Sequence, residues 1–474
     1  MKQSYRLLLG IILLLFQLNA IAQQKADSNI FRLSDLKELV LRHHPIVKQA
    51  ALLSDGAQAK VLQALGKFDP KLEAAFAQKE FGNTDYYTNF QSELKVPLWL
   101  AGADLKVGFD RNVGPYTTRQ YQTPDDGLTG VGLNVPLGQG FLFDARRNTL
   151  QQARIMTRYA DAERAKQIIS VWYRAVQDYW NWYYAYMQFQ LIDDGVILAR
   201  TRYEAIKAQT ELGDKPGIDS VEAGITVQDR EMQLAKLTVE LENTRLILSN
   251  HIWNQQEQPL ELSANLVPER DSVIDLREDI MAVDSLIYNA TGNHPELVKI
   301  RTKEESLSVE QRYQREMLKP RLNLSGTLLT SRNTFGSFSP EYYDFRWQNY
   351  KVGIDFSFPL FLRAERGKLK EIKLKRMELD YDLKQTEREI TNDIFASYNM
   401  LGAYRNQLEI QVSSINNQSR LLQAENQKFQ LGESTLFLIN SRETKLIEMQ
   451  MKRAQLVADY QKKIAELYYK AGTM

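Results

Sequence analysis

Apolar and polar residues alternate along six short segments of the chain. The pattern is clearest from Tyr350 to Phe358, where an apolar side chain stands at every second position and Lys351, Gly353 and Asp355 lie between. This alternation predicts strands with one apolar and one polar face. The predicted strands cover about 70–79, 88–98, 103–113, 128–137, 321–330 and 347–358.

Between and after the strands, apolar residues recur at helical spacing among many charges. The spacing predicts helices over about 34–66, 144–211 and 217–252, and again over about 284–318, 364–431 and 435–470. A helix over 144–211 would be roughly 100 Å long. No globular core needs a helix of that length, and the narrow apolar seams are typical of coiled coils. We therefore expect a mainly α protein with a tall bundle of laterally packed helices.

The two halves of the chain share short motifs in one order. "HHPIVK" (43–48) recurs as "NHPELVK" (293–299), and "ELGDKPGIDSV" (211–221) pairs with "QLGESTLFLIN" (430–440). These pairs predict a duplicated unit of helix, strands, long helix and last helix. The first expected repeat covers 23–255, with strands at about 70–137 and long helices at about 144–252. A linker follows over 256–281. The second expected repeat covers 282–474, with strands at about 321–358 and long helices at about 364–470.

The first 22 residues have the features of a secretory signal peptide. Lys2 and Arg6 precede an apolar run from Leu7 to Leu18, and Ala20-Ile21-Ala22 is a small-residue cleavage site. The run is shorter than the ~20 apolar residues that span a bilayer. No later segment is as hydrophobic, so we expect any membrane insertion to use β-strands.

Composition excludes several classes of protein. The formal net charge is +1, which gives no basic surface for nucleic acid. The chain has no cysteine, so disulfides, thiolate metal sites and cysteine nucleophiles are excluded. The histidines of the two His-Pro pairs suit helix starts better than metal ligands. We find no catalytic constellation and expect no cofactor and no metal.

Six strands are too few for a membrane barrel, since the smallest known barrels have about 8. A sheet edge that faces lipid leaves backbone groups without partners. Two interpretations remain open at this point. Either the strands form a small soluble sheet that caps the bundle, or several copies of the chain share one barrel.

Three features in this order resemble the TolC-like outer membrane factor, or outer membrane efflux protein, family. They are the paired "HP" motifs, the strand-to-helix junctions "VPL" (135–137) and "FPL" (358–360), and the two "LG" turns. The resemblance covers essentially the whole mature chain. It implies a homotrimer whose strands form one β-barrel in the outer-membrane lipid and whose long helices form a coiled-coil tunnel through the periplasm of a Gram-negative cell.

The function that this resemblance implies is transport. The chain would be the outer-membrane channel, or exit duct, of a tripartite efflux pump or a type I secretion system. Its partners would be a periplasmic adaptor (membrane fusion) protein and an inner-membrane pump or ABC transporter. The usual trimer has twelve strands, whereas six strands in each copy would give eighteen.

The resemblance also implies site residues at the "LG" turns, which match the periplasmic tips of the family. The adaptor-docking residues would be Leu212, Gly213, Asp214, Leu431, Gly432 and Glu433. The tunnel gate candidates are Asp219, Phe429, Leu438 and Ser441. The arginine that the family places two residues after the second glycine is Ser434 here, so the usual Arg–Asp lock is incomplete.

Two other functions remain as alternatives. One is a periplasmic coiled-coil scaffold or adaptor with a soluble β domain, which outer-membrane fractionation would distinguish from a channel. The other is an outer-membrane enzyme, which would need a polar cluster that the sequence does not contain.

Overall fold

The computed structural model describes residues 29–269, 281–331 and 345–474. The predicted signal peptide lies outside the described residues, as do residues 270–280 of the predicted linker. The chain divides into two compact units. The first combines the chain up to Ala51 with Arg164–Pro295 and Glu387–Met474, and the second combines Leu52–Glu163 with Glu296–Thr386.

Eight helices occur in the described ranges, and two of them are very long. They are α1 (Leu33–His43), α2 (Pro45–Leu65), α3 (Ala145–Glu211), α4 (Gly217–Ser249), α5 (Val283–Asn293), α6 (Pro295–Glu316), α7 (Arg363–Gln430) and α8 (Leu436–Lys470). The helices α3 and α7 have 67 and 68 residues, which corresponds to roughly 100 Å each. The four long helices thus end within a few residues of their predicted limits. In these ranges, no helix is apolar enough over sufficient length to cross a membrane.

The first helix of each predicted repeat is broken at its His-Pro pair, which corrects the prediction of continuous helices over 34–66 and 284–318. Helix α1 ends at His43 and α2 begins at Pro45, while α5 ends at Asn293 and α6 begins at Pro295. The residue before each proline is extended, with ψ of 129° at His44 and 128° at His294. Proline disfavours the helical conformation in the preceding residue but suits the first helical position, so each break restarts a helix at once.

The end of another chain segment packs on each of these breaks. The His44 ring stacks on His251 with centroids 5.9 Å apart, and it meets the edge of Trp253. At the second break, a Cβ on Gly472 would come within 2.7 Å of the His294 ring. The Nδ1 atom of His44 accepts a hydrogen bond from the backbone N–H of Ile46 at 3.2 Å. The residues that follow α4 therefore pack on the first His-Pro pair, and those that follow α8 pack on the second.

The interior of the first unit is strongly aromatic. Tyr179, Trp180, Trp182 and Tyr183 on α3 are each at most 5% exposed. They form one core with residues of α1, α5, α7 and α8 and with Leu262 of the linker. The Tyr179 hydroxyl donates a hydrogen bond to the Phe31 carbonyl at 2.9 Å, and burial raises the pKa of this phenol. This aromatic segment of α3 is therefore part of the core of the first unit.

Two strands of two residues in the first unit were not predicted. Strand β1 (Ile30–Phe31) pairs in parallel with β6 (Val267–Pro268). Pairs this short have no visible alternation, so hydrophobic patterning cannot reveal them.

The second unit contains one six-stranded sheet. Its strands are β2 (Lys71–Phe81), β3 (Thr84–Pro97), β4 (Asp104–Val113), β5 (Leu128–Pro136), β7 (Arg321–Thr330) and β8 (Tyr350–Ser357). They lie in the order β2-β3-β4-β5-β7-β8, and every neighbouring pair is antiparallel. Each predicted strand is present, with ends shifted by a few residues.

The pairing register places the apolar positions of all six strands on one face. One row across the sheet contains Leu72, Leu94, Val107, Val131, Leu328 and Tyr350. The adjacent row, on the opposite face, contains Lys71, Lys95, Lys106, Gly132, Thr327 and Lys351. The sheet therefore has an apolar face and a polar face without interruption between its two edges.

Two glycines show a difference in crowding between the two faces of this sheet. A Cβ on Gly132, which lies on the polar face, would come within 2.4 Å of Thr327 Oγ1. A Cβ on Gly326, which lies on the apolar face, would meet no atom within 4 Å. Side chains are therefore more crowded at Gly132 on the polar face than at Gly326 on the apolar face.

Candidate functional site at the helix turns

The two "LG" turns have the same backbone structure. Gly213 follows α3 with φ of 82°, and Gly432 follows α7 with φ of 80°. In the first turn the N–H of Asp214 donates to the Gln209 carbonyl at 2.9 Å, and in the second the N–H of Glu433 donates to the Lys428 carbonyl at 2.9 Å. Each glycine N–H also donates to the carbonyl three residues earlier. Both turns are thus Schellman motifs, in which glycine supplies the left-handed residue that ends the helix.

The side chains of both turns are open to solvent. Leu212 is 78% exposed and Leu431 is 76% exposed, and Asp214 and Glu433 are exposed as well. Neither leucine contributes to a core of the protomer. A Cβ on either glycine would meet no atom within 4 Å. The turns therefore offer two similar surfaces, each with an apolar residue, a glycine and an acidic residue.

The side chains behind the turns connect one hairpin to the other. The Lys215 ammonium group, in the first turn, lies 4.4 Å from the centre of the Phe429 ring on α7. Phe429 packs against a buried cluster of Ile206, Ala223 and Leu436. Phe429 is therefore half-buried between the hairpins in this protomer, and its role as a gate remains a prediction.

Ser434 occupies the position of the missing arginine, and its hydroxyl acts within its own hairpin. It donates a hydrogen bond to Glu425 Oε1 on α7 at 2.5 Å. The next residue, Thr435, caps α8 by accepting from the Leu438 N–H at 3.4 Å. The second turn is thus secured by its own side chains.

The structure does not bring the other three gate candidates together into one cluster of contacts. Asp219 lies in the first turn of α4, where its N–H donates to the Pro216 carbonyl at 3.0 Å and its negative charge suits the helix N-terminus. Leu438 is 37% exposed and Ser441 is exposed, both on α8. These residues remain gate predictions.

A polar layer between the helices links the two hairpins, about 11 residues from Gly213 and Gly432 along the helices. The sequence patterns did not predict this layer. We define the layer by five residues: Arg202 on α3, Thr226 and Arg230 on α4, and Asn440 and Glu443 on α8. Glu443 lies 2.6 Å from Arg202 Nη1 and 3.2 Å from Arg230 Nη2.

Asn440 provides the remaining bonds of the layer. It accepts from Arg202 Nη1 at 3.0 Å and donates to Thr226 Oγ1 at 3.2 Å. A signal for the layer was present in the sequence: Ala223, Arg230 and Leu237 are buried at seven-residue intervals. A charged residue on an apolar heptad seam marks a position with a specific partner.

The solved structures with this fold include two outer membrane channels, MtrE and CmeC, and the outer membrane protein VceC. MtrE of Neisseria gonorrhoeae, in its open state, has a TM-score of 0.67 at 14% identity, with 93% of this chain and 89% of MtrE covered. CmeC of Campylobacter jejuni has a TM-score of 0.63 at 14% identity, with 93% and 85% covered. VceC of Vibrio cholerae has a TM-score of 0.62 at 14% identity, with 93% and 96% covered.

Residues 286–473 match the family model described as outer membrane efflux protein. No curated protein is significantly similar to the chain in sequence. The family match and the shared fold confirm the resemblance inferred from the sequence. The family match covers less than half of the chain, and the structural likeness at 14% identity shows a shared fold. The scaffold alternative receives no support.

Proposed function

We propose that three copies of this chain form the exit duct of a tripartite efflux pump or a type I secretion system. The copies would share one β-barrel in the outer membrane and one helical tunnel in the periplasm. The duct would be passive and would open when a periplasmic adaptor docks on the turns at Gly213 and Gly432. Energy would come from an inner-membrane pump or ABC transporter.

The six-stranded sheet is the observation that carries this proposal. Its apolar face is continuous, which suits contact with lipid, and its opposite face is polar, which suits a water-filled lumen. On the apolar face Phe76 is 66% exposed, Ile354 is 69% and Phe356 is 68%. A soluble sheet would bury such a face on a core of its own.

The two edges of the sheet indicate how the barrel would close. Every residue of β2 is exposed, and so is every residue of β8 except Gly353. Six antiparallel strands place β2 and β8 in opposite directions, so β8 of one copy can continue the antiparallel order beside β2 of the next. Three copies would give eighteen strands, and barrels of ~16–18 strands enclose an aqueous channel.

The helices of the first unit support assembly independently of the strands. Helix α4 carries Ile218, Ile225, Met232, Val239 and Leu246 at seven-residue intervals, and these side chains are between 44% and 69% exposed. An exposed heptad seam is a surface that another helix covers in a coiled coil. If one side of a protomer binds the different, opposite side of the next, the copies are arranged head to tail. Such contacts form a closed ring when the rotation that relates neighbouring copies returns to the first copy.

The turns suit recognition by a partner that reads backbone shape. Both have the Schellman geometry, and each presents an exposed leucine beside an acidic residue. A helical hairpin with an apolar seam and basic flanking residues has matching chemistry. We assign that role to the adaptor.

Membrane fractionation and bilayer recording test this proposal together. We expect the mature protein in the outer membrane, migrating as a heat-sensitive trimer on gels. In planar bilayers it should insert as a pore of low conductance. A soluble, monomeric protein that forms no pore would refute the duct.

A further inference from the structure

The first turns of α7 carry a high concentration of positive charge. Seven lysines and arginines and only two acidic residues occur from Arg363 to Arg376, although the whole chain has a formal net charge of only +1. The helix dipole favours acidic residues at a helix N-terminus and disfavours cations there. The stability of α7 alone therefore does not explain this charge, which points to a partner outside the helix.

Three of the seven cations have acidic partners within the protomer. Lys368 Nζ lies 3.1 Å from Glu371 Oε2, and Lys375 Nζ lies 2.7 Å from Glu371 Oε1. Arg376 pairs with Glu304 on α6. The positive charge of these three residues is therefore already compensated by the fold.

The other four cations form a stripe along one face of α7. We define the basic stripe as Arg363, Arg366, Lys370 and Lys373, which follow one another at intervals of three, four and three residues. Residues at these intervals lie on the same side of a helix. All four are exposed, and none of them has an ion-pair partner in the part of the chain that the structure describes. Like charges at this spacing repel one another, so an external anion would stabilise the basic stripe.

The segment that leads from β8 into the basic stripe is apolar and open to solvent. Phe358 is 38% exposed, Leu360 is 84% and Phe361 is 69%. Phe358 follows Phe356 by two residues, so it continues the alternation of the apolar face beyond the end of β8. The Arg363 guanidinium group lies 4.9 Å from the centre of the Phe361 ring. The first cation of the stripe therefore lies directly beside this apolar segment.

An exposed apolar segment followed by exposed cations matches the chemistry of a membrane surface. Aromatic and aliphatic side chains enter the boundary of the acyl chains, and lysine and arginine side chains are long enough to reach the head groups from there. A guanidinium group can bind a phosphate through two charge-assisted hydrogen bonds. Clusters of about 4–8 lysines and arginines beside a membrane-spanning segment are typical of sites for anionic lipids.

The length of the basic stripe is comparable with the thickness of a head-group layer. Arg363 and Arg366 are about 4.5 Å apart along the axis of α7, and the head-group region is about 5–8 Å thick on each side of a bilayer. These two side chains can therefore contact head groups directly. Lys370 and Lys373 are farther from β8, and their charge acts over the ~8 Å that salt permits under physiological conditions.

We propose that the basic stripe binds the phosphate groups of anionic phospholipids at the membrane surface. This inference rests on the proposed function of the chain as an outer-membrane duct, because it requires the sheet to lie in the bilayer. Leu360 and Phe361 would contact the ends of the acyl chains, and the stripe would favour anionic over zwitterionic lipid. The ligand is a membrane phospholipid and not free phosphate, because the cations lie beside exposed apolar side chains.

Thermal unfolding of the detergent-solubilised trimer with added lipid is the test. We expect phosphatidylglycerol to raise the melting temperature of the wild type more than phosphatidylcholine with the same acyl chains does. Inorganic phosphate at the same concentration should have no such effect. The variant Arg366→Gln/Lys370→Gln should need several-fold more phosphatidylglycerol for half of the wild-type shift. The matched control is Lys368→Gln/Lys375→Gln, which removes the same charge from paired positions of the same helix and should respond like the wild type.

Four outcomes would overturn the lipid site and leave the duct intact. Two of them are an equal response of the wild type to the two lipids and an equal loss in the two double variants. The third is a shift with inorganic phosphate as large as that with phosphatidylglycerol. The fourth is dissociation of the Arg366→Gln/Lys370→Gln trimer without lipid, which would assign the basic stripe to a contact between copies. A wild type that is a soluble monomer would refute the duct itself, and the lipid site with it.

Salt provides an independent measurement on the wild type alone. The four cations of the basic stripe are exposed, so salt should screen their attraction to lipid phosphates. We expect the difference between the shifts with phosphatidylglycerol and phosphatidylcholine to decrease as sodium chloride is added. A difference that does not change with salt would contradict binding through the basic stripe.

Discussion

The Lys215 ammonium group lies 4.4 Å from the centre of the Phe429 ring, so a side chain of the first turn covers an aromatic residue of the other hairpin. A cation over an aromatic face at a partly exposed site is worth about 0.5–1 kcal/mol. This contact is therefore a weak link between the hairpins, outside the buried polar layer.

A double-mutant cycle measures this link. We expect Lys215→Met and Phe429→Leu each to lower the apparent free energy of unfolding, and the pair to show a coupling of about 0.5–1 kcal/mol. Thermal unfolding of the trimer in detergent gives the four values. Strict additivity of the two substitutions would mean that the ammonium group and the ring do not interact in solution.

The two turn glycines predict a matched pair of stability losses. At φ of 82° and 80°, a Cβ costs about 1–2 kcal/mol through its clash with the backbone. Gly213→Ala and Gly432→Ala should each lower the melting temperature, and the corresponding asparagine variants should lower it less. The control is Gly402→Ala in the middle of α7, where a Cβ meets no atom within 4 Å and alanine should stabilise by about 0.5–1 kcal/mol. An equal response at all three sites would argue against the left-handed turns.

The edges of the sheet predict disulfides between copies. Ala74 on β2 and Val352 or Ile354 on β8 all lie on the apolar face. Cysteines at Ala74 and at one of the β8 positions should form cross-linked dimers and trimers on oxidation, visible on non-reducing gels. A cysteine at Leu133, on the central strand β5, should not cross-link to Ala74→Cys. Failure of every β8 position tested against β2 would contradict the shared barrel.

His44 predicts a loss of stability in acid. Burial, reinforced by the nearby His251, lowers the pKa of His44 from 6.5 to about 4. Between these values the unfolded chain binds a proton at His44 and the folded chain does not, so the free energy of unfolding falls as pH decreases from 6.5 to about 4. Above pH 6.5 the free energy of unfolding no longer depends on the protonation of His44.

The measurement is unfolding as a function of pH for wild type and His44→Asn. The asparagine oxygen can still accept the N–H of Ile46, as His44 Nδ1 does, and the variant should lose part of the pH dependence in this range. His43→Asn, one residue earlier and less buried, should retain the wild-type slope. Identical slopes for wild type and His44→Asn would show that the acid sensitivity does not arise at His44.

Local patterns were sufficient to predict the six strands of the sheet, the long helices and the turns. The alternation from Tyr350 to Phe358 depends on neighbours in sequence, and so does the left-handed glycine that ends a helix. The polar layer depends on three distant segments, because Arg202, Arg230 and Glu443 meet only after the helices pack. The break at His44 was missed for a different reason: Pro45 marks both a helix start and a break, and periodicity continues on both sides of it.

The twin turns have a consequence for the symmetry of the assembly. In the proposed trimer, three copies would present six turns with one backbone shape. Three of them would carry Leu212 and Asp214, and three would carry Leu431 and Glu433. The backbone of the six turns would have approximate sixfold symmetry, whereas their side chains would have only threefold symmetry. A ring of six identical partner subunits could therefore dock on the turns, with neighbouring subunits making different side-chain contacts.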